Sequence, residues 1–273
     1  DGKLLRFALP TPQQRVTEWL ASSLRQNTNL RELDLHGCHL SDDACASLAR
    51  ALIDVPLLAL DVSNNRAGRD CADALAALLT TSNSLEVLNV NQNLLGDAGA
   101  GALAEGVAKS ALTSLSCGNN RFADSGVMFL TFACAQSKKL SALELSGSDL
   151  GGGIGAVDRF VNVVGASAIT TLHAGECALG TEGGERMATL LETSRVLSAL
   201  HLWGNEMGDA ACVAMAHALA SNSKITYLSL RRNAFGDDGA VAMAQALSTN
   251  RSVLTLDLAG NRIAERGVRS LCE

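Results

Sequence analysis

One pattern governs this chain: the template Leu-x-x-Leu-x-Leu-x-x-Asn recurs along it. It fits "LEVLNVNQN" (85–93), "LTSLSCGNN" (112–120), "LSALHLWGN" (197–205), "ITYLSLRRN" (225–233) and "VLTLDLAGN" (253–261). Looser copies are "LRELDLHGC" (30–38), "LLALDVSNN" (57–65), "LSALELSGS" (140–148) and "ITTLHAGEC" (169–177). The nine starts at 30, 57, 85, 112, 140, 169, 197, 225 and 253 are spaced by 27 to 29 residues. A period held over so much chain makes one supersecondary unit repeat, so any local motif has to be judged against its counterparts.

Each copy opens with apolar residues at its fourth and sixth places, the period of a strand. The second half changes period: in "AVAMAQAL", Ala240, Met243, Ala244 and Leu247 fall at i, i+3, i+4 and i+7, one face of a helix. The units therefore read as strand then helix. Residues 1–29 read as a partial repeat, with "LLRFAL" as its strand and 12–29 as its helix; Pro12 suits a first turn, where no backbone donor is needed.

The repeat resembles the leucine-rich repeats of the long, ribonuclease-inhibitor-like subfamily over residues 30–273. That resemblance implies an α/β leucine-rich-repeat solenoid, a right-handed α/β horseshoe with a parallel concave sheet and helices on the convex side. It maps the family's asparagine ladder onto Asn65, Asn93, Asn120, Asn205, Asn233 and Asn261, with Cys38, Ser148 and Cys177 at the other three places. An amide leaving a strand can donate and accept along the stack. The family includes enzyme inhibitors, innate-immune receptors, GTPase-activating proteins, ciliary scaffolds and bacterial effectors. Curvature follows from spacing, since parallel strands sit about 4.8 Å apart and packed helices about 8–10 Å; the concave face is then a broad binding surface.

Composition narrows the function. The net charge is −6 with a pI near 5.4 and no basic run, so a nucleic-acid partner is not expected. No apolar run approaches the length of a membrane span, and the first residues lack the order of a signal peptide. The eight cysteines form no zinc or disulfide spacing, which points to a reducing, cytoplasmic setting. The absence of an initial Met and an ending within a helical pattern suggest part of a longer polypeptide.

Two motifs imitate active sites. In "AFGDDGA" (234–240) the pair Asp237 and Asp238 resembles a metal-holding loop, yet it aligns with "LSDDAC", "LGDAGA", "FADSGV" and "MGDAAC". A carboxylate before each helix is expected to cap that helix. The glycines of "DLGGGIGAVD" (149–158) lack the Gly-Lys-Ser/Thr ending of a phosphate loop and read as a one-residue insertion in the repeat of 29. No cofactor and no metal are expected.

The fifth place of each copy projects from the sheet. Down the stack it reads Asp34, Asp61, Asn89, Ser116, Glu144, His173, His201, Ser229 and Asp257. His173 and His201 in register have the spacing for a shared metal but lack a third ligand, so they read as polar residues of a binding face. Trp203 occupies the seventh place, beside Arg231, with Arg232 and Tyr227 on the same strand. Trp, Tyr and Arg are the residue types most enriched at binding hot spots; the alternative is a self-contained Trp203–Arg231 stack. The second tryptophan, Trp19, is expected to pack against the first repeats. Arg31, Glu32, Asp34, His36, Asp61 and Glu86 make the N-terminal end mixed but mainly acidic, a contrast that would steer a partner with two oppositely charged regions. The expected function is a non-enzymatic module that binds a protein on the concave face within a larger receptor, scaffold or effector. The alternatives are a regulator resembling GTPase-activating proteins and a host-directed bacterial effector.

Overall fold

The computed structural model describes residues 3–6 and 14–273. Pro12 and the last three residues of "LLRFAL" lie outside the described residues. The chain divides into two compact bodies, 1–144 and 145–273.

The first body alternates β1 (Lys3–Arg6), α1 (Gln14–Leu24), β2 (Leu30–Asp34), α2 (Asp42–Ala51), β3 (Ala59–Asp61), α3 (Arg69–Thr81), β4 (Val87–Asn89), α4 (Gly96–Val107), β5 (Ser114–Ser116), α5 (Asp124–Gln136) and β6 (Ala142–Glu144). Each strand pairs in parallel with the next. The second body runs α6 (Ile154–Gly165), β7 (Thr171–His173), α7 (Gly180–Thr193), β8 (Ala199–His201), α8 (Gly208–Ser221), β9 (Tyr227–Ser229), α9 (Asp237–Thr249), β10 (Thr255–Asp257) and α10 (Glu265–Cys272). Its four strands are likewise parallel and paired in order. A parallel neighbour has to be reached by a crossover, and here every crossover is a helix lying on one face of the sheet. The fold is an α/β solenoid.

Leucines pack between the two layers. Leu33, Leu60, Leu88, Leu115 and Leu143 in the first body, and Leu172, Leu200 and Leu228 in the second, are buried at the middle of their strands. The helices contribute small residues: in α9 the buried stripe is Gly239, Ala240, Met243 and Ala246. Ala244 and Leu247, expected on that stripe, are only half-buried, because the helix is rotated to bring Gly239 and Ala246 inward. Trp19 corrects an expectation outright, since it is 82% exposed. Thr17, Ala21 and Leu24, at i, i+4 and i+7, turn inward, and Trp19 falls on the opposite side of α1.

The amide ladder reaches backward along the chain. Asn93 Nδ2 donates to Val62 O, Val90 O and Asn91 O at 3.0–3.1 Å, and its Oδ1 accepts from Ala67 N at 2.9 Å. Asn65, Asn120, Asn205, Asn233 and Asn261 likewise each donate to a carbonyl of the preceding repeat. Cys177 substitutes a thiol, with Sγ 3.3 Å from Gly175 O and 3.6 Å from Leu145 O. Cys38 is fully buried. Ser148 is 1% exposed and its Oγ has no hydrogen-bond partner among the described residues, being too short to reach where an amide reaches.

The acidic loops reach forward, against expectation. Asp237 is the first residue of α9, and it does not cap that helix, whose N-cap is Gly236. Its Oδ1 instead accepts from Ala264 N at 2.8 Å and Gly267 N at 2.9 Å, at the start of α10. Asp42 does the same for α3, accepting from Gly68, Asp70 and Cys71. Asp97 serves α5 and Asp209 serves α9. A carboxylate already inside its helix points away from its own free N–H groups and towards those of the next helix. Only α2 among these is capped by its own neighbour, Ser41. In the glycine-rich stretch, residues 151–155 are exposed, Gly153 has φ +129°, and α6 starts without a side-chain cap.

Candidate protein-binding face

Strands β7, β8 and β9 bury their central leucines, so the residues on either side of each leucine stand on the sheet face away from the helices. His173 and His201 are directly opposite each other. Their rings stack with centroids 3.9 Å apart and planes 10° from parallel. Tyr227 sits opposite Ala199, one pair along, and reaches diagonally to stack on His201 with centroids 4.5 Å apart. The methyl of Ala199 leaves room for that reach. Three rings thus run across three successive strands.

His201 is half-buried, and burial first, then the charge of His173, lower its pKa to about 4. At neutral pH the middle ring is therefore uncharged. Ring nitrogens carry their lone pairs in the ring plane, so two face-to-face rings present parallel rather than converging lone pairs. Among the described residues no group of three or more His, Cys, Asp or Glu has the arrangement to hold a metal.

Trp203 stands in the turn that leaves β8. Its indole lies flat on Gly175, which occupies the same place in the preceding repeat: a Cβ on Gly175 would come 2.4 Å from Cε2 and Nε1. Only glycine admits the ring there, so Trp203 is half-buried rather than freely projecting. The ring leans towards the preceding strand, and among the described residues no stack joins it to Arg231. Arg231 and Arg232 are exposed at the turn after β9, Arg232 with φ +55°. Arg231 O accepts from Gly204 N at 2.9 Å, which fixes the backbone from which both cations project.

The corresponding face of the first body is polar and tied together. Ser63 Oγ donates to Asp61 Oδ1 at 2.5 Å and lies 2.9 Å from His36 Nδ1, while Asn89 donates to Asp61 Oδ2. The hydroxyl donates a hydrogen bond to the carboxylate, and both partners are held in register by the strands. Sequence reading separated these residues by charge alone and missed the network. It also missed the contacts of Tyr227 with His201 and of Trp203 with Gly175, although a Gly one repeat before a Trp in the same place is a usable signal.

Burial protects most of the cysteines. All eight are free thiols and seven are buried. Burial raises the pKa of Cys134 to about 12 and, with Asp209 beside it, that of Cys212 to about 12. These two thiols are held protonated, which makes them poor nucleophiles and poor metal ligands.

A sequence model described as Leucine Rich repeat matches residues 26–49, 81–104, 221–244 and 249–272, on strands and helices of both bodies. The chain carries leucine-rich repeats, and these resemble the ribonuclease-inhibitor-like kind. The leucine-rich-repeat protein is 30% identical over 195 residues to ribonuclease inhibitor of Sus scrofa, covering 70% of this chain and 42% of the relative. It is 29% identical over 202 residues to NACHT, LRR and PYD domains-containing protein 12 of Mus musculus, covering 70% of this chain and 18% of the relative. It therefore spans less than half the length of these relatives. Among solved structures, the tropomodulin C-terminal domain of Caenorhabditis elegans aligns with 55% of this chain and 92% of its own at 20% identity and a TM-score of 0.46. No described helix of this leucine-rich-repeat protein is long and apolar enough to cross a membrane.

Proposed function

We propose that the protein is a non-catalytic module that binds a protein partner on the strand face of its second body, with His173, His201, Trp203, Tyr227, Arg231 and Arg232 as the contact group. The observation that carries this reading is the three-ring stack with a fourth, glycine-seated ring beside it. Rings already held in place lose little side-chain entropy on binding, and Trp, Tyr and Arg are the residues that dominate interfaces. The likeness to a ribonuclease inhibitor, a protein named for acting on another protein, supports the class of function. Relatives whose names join these repeats to NACHT and PYD domains support a role within a larger receptor or scaffold. Seven buried thiols suit a reducing, cytoplasmic setting.

The test is affinity capture with the native protein against Trp203→Ala plus Arg231→Ala. Loss of a partner from the double variant, with the far-ultraviolet spectrum unchanged, supports the face; survival of every partner removes it. A panel of small GTPases assayed in parallel separates binding from regulation. Faster GTP hydrolysis at catalytic amounts of the protein would replace the binding reading.

A further inference from the structure

The helix starts of the first body hold a pair of thiols that the strand face does not use. Asp42 Oδ1 accepts from Gly68 N and Cys71 N, which sets the first turn of α3 against the first turn of α2. Cys45, three residues after Asp42, turns to the same side of α2. Both cysteines are buried, at 1% and 0% exposure, and their thiols are hydrogen-bonded to each other. That bond first, and burial second, hold the Cys71 thiol well above its ordinary pKa.

Four other helix junctions bring the equivalent places together, each with a glycine at one of them. Across α8 and α9, Asp209 Oδ1 accepts from Gly236 N and Gly239 N, so Cys212 stands where Cys45 does and Gly239 where Cys71 does. A Cβ on Gly239 would lie 2.9 Å from Cys212 Cβ. The corresponding distances are 2.6 Å for Gly184 and Ala211, 2.8 Å for Gly267 and Ala240, and 3.5 Å for Gly99 and Ala72. Unbonded carbons keep about 3.5–4.0 Å apart, so these junctions have room for one side chain and little more. The α2–α3 junction carries two, and both are cysteine. A disulfide holds its Cβ atoms at about 3.5–4.5 Å, a separation that suits two side chains pressed together there.

We propose that Cys45 and Cys71 are an oxidisable pair that closes to a disulfide and clamps α2 to α3. The oxidant is a hydroperoxide such as hydrogen peroxide. A thiolate at one sulfur attacks the peroxide: an S–O bond forms, the O–O bond breaks, and the departing hydroxide takes up the proton that the thiol gave. The second sulfur then displaces the oxygen, so that the S–S bond forms, the S–O bond breaks, and the oxygen leaves as water with the second thiol's proton. The two sulfurs together lose two electrons, and the peroxide is reduced to two waters. Cys71 follows the exposed Asp70, and Cys45 the half-buried Ala44, so the pair lies one layer beneath the surface. Opening of two helix starts admits a molecule as small as peroxide. Burial makes the first step slow, and the hydrogen bond places the second sulfur beside the first once that one is oxidised.

Peptide mapping of the folded protein after treatment with hydrogen peroxide tests the pair. Remaining thiols are blocked before digestion, and cleavage at Asp42 and Asp43 separates Cys45 from Cys38. The expected product is a cross-linked peptide joining Cys45 to Cys71, lighter than its two thiol parents by two hydrogens and split by dithiothreitol. The oxidised protein should melt about 4 °C or more above the reduced one, and dithiothreitol should reverse the shift. Cys71→Gly supplies the residue that α9 carries at this place. That variant and Cys45→Ala should keep the native circular dichroism and lose both the cross-link and the shift, while Cys134→Ala retains both. Thiols of Cys45 and Cys71 that stay free under peroxide until the fold is lost overturn the proposal, as do thiols that go on to sulfinic acid instead of pairing. So does a cross-link that leaves the melting temperature unchanged, or one that forms equally well in the urea-unfolded chain.

Discussion

The carboxylate of Asp42 caps the helix of the following repeat, and Gly68 is the residue that lets it in: Gly68 N donates to Oδ1 at 2.7 Å, and a Cβ there would lie 2.8 Å from Oδ2. Asp42→Ala removes an acceptor for three N–H groups and is expected to cost about 1–2 kcal/mol. Gly68→Ala should cost about 1 kcal/mol by crowding the carboxylate. Every close neighbour of the added methyl belongs to Asp42, so the double variant should be more stable than the sum of the singles predicts, by about 0.5 kcal/mol or more. Urea titration of the four proteins gives the cycle; strict additivity would separate the two residues.

Two ladder places should respond in opposite ways. Asn93→Ala leaves the buried Ala67 N without its acceptor and takes one of two donors from Val62 O, Val90 O and Asn91 O, at a cost of roughly 1–3 kcal/mol. Ser148→Ala deletes a buried hydroxyl with no partner among the described residues, and its effect should lie within about 0.5 kcal/mol of zero or be stabilising. Equal losses in thermal and urea midpoints would refute the contrast.

Acid should act through His201. Its folded pKa of about 4 lies below the ordinary value near 6.5, so the unfolded chain binds more protons between these values. Its contribution to stability is present above about pH 6.5, is lost as pH falls through about 4, and changes no further below that. His201→Gln should flatten that part of the stability profile, and NMR titration of the His201 ring should give a midpoint near 4. A midpoint at the ordinary value would contradict the burial of the stack.

Gly175→Ala probes Trp203 without touching it. The new methyl occupies the space of the indole, so the ring must swing into solvent and its fluorescence should shift to the red. Affinity for a strand-face partner is expected to fall about tenfold or more, while Gly155→Ala, at the exposed start of α6 where a Cβ meets only Arg159 Nη1 at 3.7 Å, leaves both readouts in place. An unshifted spectrum would mean the ring does not lie on Gly175.

What the sequence disclosed was whatever is decided inside one repeat. The alternation around Leu172, Leu200 and Leu228 places their neighbours on the strand face without any knowledge of contacts. Relations between repeats were harder. The partner of Asp237 lies 27 and 30 residues away, so proximity in sequence pointed to the wrong helix. The contact of Tyr227 with His201 is diagonal, and in-register reading pairs Tyr227 with Ala199 instead. Trp19 was misplaced because size was read as burial, whereas its angular position beside Thr17 and Ala21 puts it outside. Cys45 and Cys71 escaped notice because they stand 26 residues apart, one short of the repeat, so in-register reading sets Cys45 beside Ala72 instead.

The asparagines and aspartates work in opposite senses along the chain: Asn93 serves the repeat before it, and Asp97 serves the one after. Each repeat in such a run is both creditor and debtor to its neighbours. Excising one from the middle would strand two orphaned partners, one on each flank, while shortening a run from an end strands a single kind. The debris differs with the end that is cut. Losing the N-terminal side leaves a helix start uncapped, and losing the C-terminal side leaves an N–H beyond the strand, such as that of Ala67, without its acceptor, so nested deletions from the two ends should fray at different elements in hydrogen exchange.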